Sequence, residues 1–159
     1  MLRRRSLLTL GAGALALGCA VPQSQTITSP TGHVSVTFDV RDGRAHYAVR
    51  YDGKAVIDSS GLGLRLRGAE PIGEGLGAKE ISIDSREATW EPVWGIRSPV
   101  EDNHVELLVT LKESGDAGRV LTLRFRAYDD GAAFRYEIPV QEGLDDIEIA
   151  GEDTEIRFP

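Results

Sequence analysis

From His33 onward apolar residues recur at every second position, a period that restricts the chain to strands with one face on a core and the other in water. Val34, Val36, Phe38 and Val40 alternate with polar residues, Asp42-Gly43 offers a hairpin turn, and Tyr47, Val49 and Tyr51 alternate on the return. Asp52-Gly53 turns the chain into a third strand over Lys54 to Asp58. After the Ser59-Ser60-Gly61 break a fourth strand carries Leu62, Leu64 and Leu66. Gly68 to Ala78 is a Gly-rich connector, Ile81 and Ile83 mark a short strand, and Arg86 to Pro99 is irregular, with two tryptophans and two prolines. Val105, Leu107, Val109 and Leu111 run into the turn Glu113 to Gly118, and Leu121, Leu123, Phe125 and Ala127 return from it. Asp129-Asp130-Gly131 leads to Phe134, Tyr136 and Ile138, with short strand candidates at Ile147 to Ile149 and Thr154 to Phe158. About nine short strands, turn signals every 8 to 12 residues or so and no helical period predict an all-β sandwich of antiparallel sheets.

The N-terminus follows another rule. Arg3-Arg4-Arg5 precedes an uncharged apolar run from Leu7 to Gly18, the layout of an export signal peptide; the run falls short of the roughly 20 apolar residues that cross a bilayer. Arg4-Arg5-Ser6-Leu7-Leu8 resembles a twin-arginine signal, and Leu15-Ala16-Leu17-Gly18-Cys19 resembles the lipobox of bacterial lipoproteins, which makes Cys19 the expected lipidation site. The alternative is simple cleavage after Ala20, with Cys19 discarded. The expected organisation is a signal peptide over residues 1–20, a tether over 21–28 and one β-sandwich domain over 29–159. The expected location is exported, either periplasmic or on a bacterial membrane through a lipid anchor.

Cys19 is the only cysteine, so the sandwich holds no disulfide, thiolate metal cluster or cysteine nucleophile. Losing the leader removes three arginines and no acid, taking 18 basic residues to 15 against 25 acidic ones, a net charge of −10. Such a chain repels phosphate backbones, which excludes nucleic acid as a partner. Gly73-Glu74-Gly75-Leu76-Gly77 lacks the helix that a phosphate loop needs and reads as a flexible connector. Asp129-Asp130, Asp145-Asp146 and Glu152-Asp153 read as solvated turn acids, because neighbours on a strand point to opposite faces and cannot clasp one glycosidic bond. The acids of Asp145 to Glu155 fit no standard calcium loop, and His33, His46 and His104 are scattered and read as surface residues at strand ends. No metal site and no catalytic residue is expected.

Trp90-Glu91-Pro92-Val93-Trp94-Gly95, followed by Asn103-His104, is the stretch that points to binding. Its tryptophans are expected to anchor a long loop onto the sandwich or a neighbouring domain, at least partly buried; the competing reading is direct stacking on a sugar face. Trp90, Trp94, Asn103 and His104 are therefore the candidate carbohydrate or domain-interface contacts.

Several segments together resemble the N-terminal domain of family 97 glycoside hydrolases. They are Ser29-Pro30-Thr31-Gly32, Tyr51-Asp52-Gly53-Lys54, Thr89-Trp90-Glu91-Pro92-Val93-Trp94-Gly95, Asn103-His104, Arg124-Phe125-Arg126-Ala127-Tyr128-Asp129-Asp130-Gly131-Ala132-Ala133-Phe134-Arg135-Tyr136 and Thr154-Glu155-Ile156-Arg157-Phe158-Pro159. The resemblance implies a galactose-mutarotase-like β-super-sandwich, incomplete in this chain, packed in the whole enzyme against a catalytic barrel. It also implies an exported, calcium-dependent, exo-acting α-glucosidase or α-galactosidase whose catalytic carboxylates lie in that barrel, so that this chain alone is inactive. A free-standing carbohydrate-binding lipoprotein and a structural module without ligand are the alternatives.

Overall fold

A computed structural model describes residues 21–95, 99–115, 118–144 and 146–159. Residues 1–20, where the signal peptide is expected, and with them the expected lipidation site Cys19, lie outside the described residues. Twelve strands and no helix are found among the described residues. They are β1 (Ser24–Thr28), β2 (Val34–Arg41), β3 (Arg44–Tyr51), β4 (Lys54–Gly61), β5 (Leu64–Leu66), β6 (Leu76–Arg86), β7 (Thr89–Trp90), β8 (Val100–Glu101), β9 (His104–Glu113), β10 (Val120–Tyr128), β11 (Gly131–Glu137) and β12 (Ile149–Glu152). One sheet runs β1-β2-β3-β4, a second runs β11-β10-β9-β6, and β12-β5 and β7-β8 are two-stranded ribbons. All pairings are antiparallel.

The turns follow from their residues. Asp42 and Gly43 both have positive φ (51° and 74°), as do Asp52 and Gly53 (47° and 75°), the backbone that a two-residue hairpin needs to match strand twist. A Cβ on Gly43 would meet the Gly75 nitrogen at 2.9 Å, and Leu76 N donates to Gly43 O at 2.7 Å. The Gly73 to Gly77 stretch is thus docked on a hairpin turn and runs directly into β6.

The alternating residues meet between the two four-stranded sheets. Val34, Val36, Phe38, Leu107, Val109, Leu111, Leu121, Leu123, Phe125 and Ala127 are all at most 2% exposed, so both inner faces are closed over one core. Phe125 is its aromatic hub, with ring centroids 5.9 Å from Phe38, 6.4 Å from Tyr47 and 5.8 Å from Phe134.

Four local expectations change. Ser24–Thr28, read as tether, is strand β1, paired with β2 in register from Ser24↔Asp39 to Thr28↔Ser35; only Ile27 is buried, so its alternation is too short to see. Strand β6 is 11 residues long and begins inside the expected connector, because pairing with β9 carries it where its own burial does not. The Ser59-Ser60-Gly61 break is absorbed into β4 as a register shift. Thr154 to Phe158 forms no strand, only the bridge Asp58↔Arg157 and scattered bonds such as Glu155 N to Gly61 O at 2.9 Å.

Candidate functional site

The β7-β8 ribbon projects from the end of the second sheet, where β6 passes into β7 and β8 into β9. It is tied at its base: Asp102 N donates to Ala88 O at 2.7 Å, and Ala88 N donates to the Asn103 side-chain oxygen at 3.2 Å. Trp90 pairs with Val100 in register, yet Trp90 is 53% exposed and Trp94 is 88% exposed. The expectation that both tryptophans anchor this segment on the sandwich fails for Trp94, whose indole meets almost none of the described chain. A Pro-containing segment bounded by two-residue strands has too little backbone pairing to press its tip onto a sheet.

His104 reverses its expectation as a surface residue. It opens β9 with 1% exposure, although it lies on the outer face of the second sheet, opposite Arg86 in β6. Its Nδ1 stands 3.0 Å from Asp102 Oδ1 without the alignment a hydrogen bond needs, its Nε2 lies 3.9 Å from Glu106 Oε2, and its ring packs on Tyr128 with centroids 4.9 Å apart. Tyr128 Oη donates to Asp102 Oδ1 at 3.2 Å, and Arg86 Nε is 3.6 Å from Asp102 Oδ2. The residue is legible only with its partners: on β9 it shares a face with Glu106, two places after, and Asp102, two places before, meets it from the link between β8 and β9.

From Glu106 an ionic ladder crosses the same face. Arg124 and Arg126 both reach Glu106, the latter at 2.8 Å, and Arg124 also reaches Glu137 at 2.6 Å, which Arg135 meets at 2.7 Å. Burial raises the Asp102 and Glu106 carboxyls, but the Tyr128 hydroxyl with the charges of His104 and Arg86, and the paired guanidinia respectively, outweigh it and leave both below the usual range. Hydrogen bonds from Arg124 lower Glu137 directly. Carboxyls lowered in the fold contribute stability that is present above their unfolded pKa of about 4 and is lost as pH falls through the folded value. The exposed His33, raised by its bond to Asp52, has the opposite sign and sits in a solvated pair worth little. The thermal midpoint should therefore hold from pH 7 to about 5 and fall steadily toward pH 3. A midpoint flat to pH 3 would show that the ladder adds nothing.

These contacts also answer the question of paired carboxylates. Glu148 meets Arg67 at 2.7 Å, Asp153 meets Arg65 at 2.9 Å and Glu155 meets Arg157 at 3.1 Å, so the acidic C-terminal segment is distributed over cations. Asp145 lies outside the described residues. No group of three His, Cys, Asp or Glu side chains is placed to hold a metal ion among the described residues, and the acids present do not fit a calcium cradle.

Between the ribbon and the β10-β11 turn lies a cleft of about 560 Å³ lined by Pro99, Val100, Glu101, Asn103, Tyr128, Asp129 and Asp130. Asn103 lines it and His104 packs against Tyr128, whereas neither Trp90 nor Trp94 is among its lining residues. Asp129 is oriented by Thr31, whose backbone N–H and hydroxyl donate to Oδ1 at 2.8 and 2.6 Å and hold the carboxyl below its ordinary value. Reading from the sequence missed Tyr128, Asp129 and Asp130 as partners of Asn103, because β9 and β10 bring them together only once paired.

A family model described as "Glycosyl-hydrolase 97 N-terminal" matches residues 27–159. A glycoside hydrolase family 97 enzyme from Pseudoalteromonas sp. strain K8, solved in complex with panose and in complex with acarbose, superposes with a TM-score of 0.79 at 32% identity, over 84% of this chain and 20% of that one. A β-arabinopyranosidase superposes with a TM-score of 0.77 at 26% identity, over 85% of this chain and 21% of that one. The chain thus spans about a fifth of the length of these enzymes.

Proposed function

Because the chain belongs to the glycoside hydrolase family 97 N-terminal domains, we propose that it is the non-catalytic β-sandwich of an exported, calcium-dependent, exo-acting α-glycosidase, supporting an active site that another domain builds. The match over residues 27–159 is the observation that carries this reading. Export rests on the arginine-led apolar run before Cys19, and membrane attachment on acylation of that cysteine, where several acyl chains are needed for stable anchoring. Val93 and Trp94, fully and almost fully exposed at the ribbon tip, fit contact with the catalytic domain. Glu106, Glu137 and Asp153 are paired with arginines, whereas glycoside cleavage needs an acid and a second carboxylate facing each other across a sugar.

The purified chain, assayed with and without calcium on aryl α-glucosides, aryl α-galactosides and aryl β-arabinopyranosides, is expected to release no aglycone. A gene product that also carries the barrel is expected to hydrolyse at least one of them. Turnover by the short chain that disappears on replacing one of its own acids would overturn the non-catalytic assignment.

A further inference from the structure

We infer that the end of the sandwich built from the Asp42-Gly43 hairpin, the start of β6 and the end of β9 is the surface that meets membrane phosphates, through Lys79 and Lys112, so that the β7-β8 ribbon projects away from the bilayer. The inference rests on the acylation of Cys19 proposed above and adds to it a lipid contact and an orientation.

The tether decides which end lies near the anchor. Gln23 is docked on two elements: Val40 N donates to its backbone oxygen at 2.8 Å, and Ala78 N donates to its side-chain oxygen at 3.0 Å. It lies four residues after Cys19, a stretch that spans at most about 14 Å when fully extended. The ribbon starts from the other end. Strands β6 and β9 pair from Leu76↔Glu113 beside Gln23 to Arg86↔His104 at the far end, and β7 begins beyond Arg86. Ala78 and Arg86 are eight residues apart on β6, about 26 Å of strand.

Charge decides how the domain stands on that tether. At the docked end an open hollow of about 510 Å³ is lined by Lys79, Lys112, Ser114 and three glycines, and its one acid, Glu113, is already held by Arg119. The glycines leave room for a phosphodiester to reach both ammonium groups and the Ser114 hydroxyl. Two point charges supply the attraction instead of a helix N-terminus, so the Gly73 to Gly77 stretch carries no phosphate-loop signature. Asp42, Glu74 and Glu80 are exposed at this end too, so the contact depends on the tether to hold the lysines at the headgroups. The far end has the opposite sign. The described part of the ribbon carries Glu87, Glu91 and Glu101, all exposed, with no Lys or Arg, and the cleft beside it adds Asp129 and Asp130. An anionic bilayer repels that end. Trp90 and Trp94 have the aromatic rings that suit a membrane interface, but seating them there would carry these carboxylates into the phosphate layer.

The lysines of the chain are Lys54, Lys79 and Lys112, all exposed, and Lys54 opens β4 opposite Tyr51, at the far end of the sheet from Asp42-Gly43. Cys19 is the sole thiol, so the chain from Cys19 onward can be coupled there to a maleimide lipid in vesicles of phosphatidylethanolamine with phosphatidylglycerol, whether or not cells acylate it. Acetylation by an amine-reactive ester, read by peptide mass, should slow by about fivefold at Lys79 and Lys112 relative to the uncoupled chain and stay unchanged at Lys54. Lys112→Gln should reduce the protection of Lys79, and lipids with a nitroxide on the headgroup should leave tryptophan emission unquenched. Intact mass of the protein recovered from bacterial membranes tests the anchor separately: an unacylated Cys19 would remove the anchor, while the labelling pattern still reads the contact. Unchanged rates at Lys79 and Lys112, equal slowing at all three lysines, quenched tryptophans, or protection of Lys79 that Lys112→Gln leaves intact would each overturn the proposal.

Discussion

Phe125→Ala is expected to lower the stability of the sandwich by about 3–5 kcal/mol, which for a domain of this size moves the thermal midpoint down by roughly 10–20 °C. The side chain is 1% exposed and is the ring on which Phe38 from one sheet and Phe134 from the other converge, with Tyr47 beside them. Removing it deletes buried area and leaves a void that neighbouring strands cannot fill, because paired backbones on both sides fix their spacing. Total stability of such domains is about 5–15 kcal/mol, so the loss is a large fraction of the whole. Chemical denaturation of the wild type and the variant reads the difference. A loss under about 1 kcal/mol would mean that the two sheets are not closed over one core at this layer.

Phe125 also marks what the sequence discloses. Its place on an inner face follows from two-residue alternation with Leu121, Leu123 and Ala127, and all four are buried on β10. Hairpins closed by Asp-Gly pairs are equally legible, because only certain residues accept the positive φ those turns require. What alternation cannot disclose is pairing. Strand β1 carries one buried residue and β6 is mostly exposed, so each exists because a neighbour offers it a ladder of backbone hydrogen bonds.

The same limit governs the candidate site. Trp90, Trp94, Asn103 and His104 were visible as unusual residue types in an irregular stretch, but their roles depend on partners distant in sequence. His104 is buried because Tyr128 covers it, 24 residues later, and Asn103 acquires a cleft only when the β10-β11 turn arrives opposite it. Trp94 shows the converse, since a large aromatic is presumed buried on hydrophobicity alone and here lies at a ribbon tip with 88% exposure.

Glu113→Ala is expected to cost about 3–5 kcal/mol, although the residue reads from the sequence as an ordinary turn acid. It is 8% exposed at the end of β9, and both of its carboxylate oxygens accept from Arg119, at 2.5 and 2.8 Å. Nη1 of that guanidinium donates to the Glu70 carbonyl and Nη2 donates also to that of Pro71, each at 2.7 Å, so one ion pair ties the β9-β10 turn to the loop before β6. Removing the carboxylate strands a desolvated cation; removing the arginine strands a desolvated anion and unties the loop. Each single replacement should therefore be worse than replacing both. The pair Glu113→Leu with Arg119→Met should recover most of the loss, because the attraction of a buried ion pair is largely offset by the cost of dehydrating it. Because water and salt reach the pair poorly, raising ionic strength should narrow these differences little. Equilibrium denaturation of the two single variants and the double variant closes the cycle. Additive losses would show that Glu113 and Arg119 act separately and that the contact does not hold the loop in place.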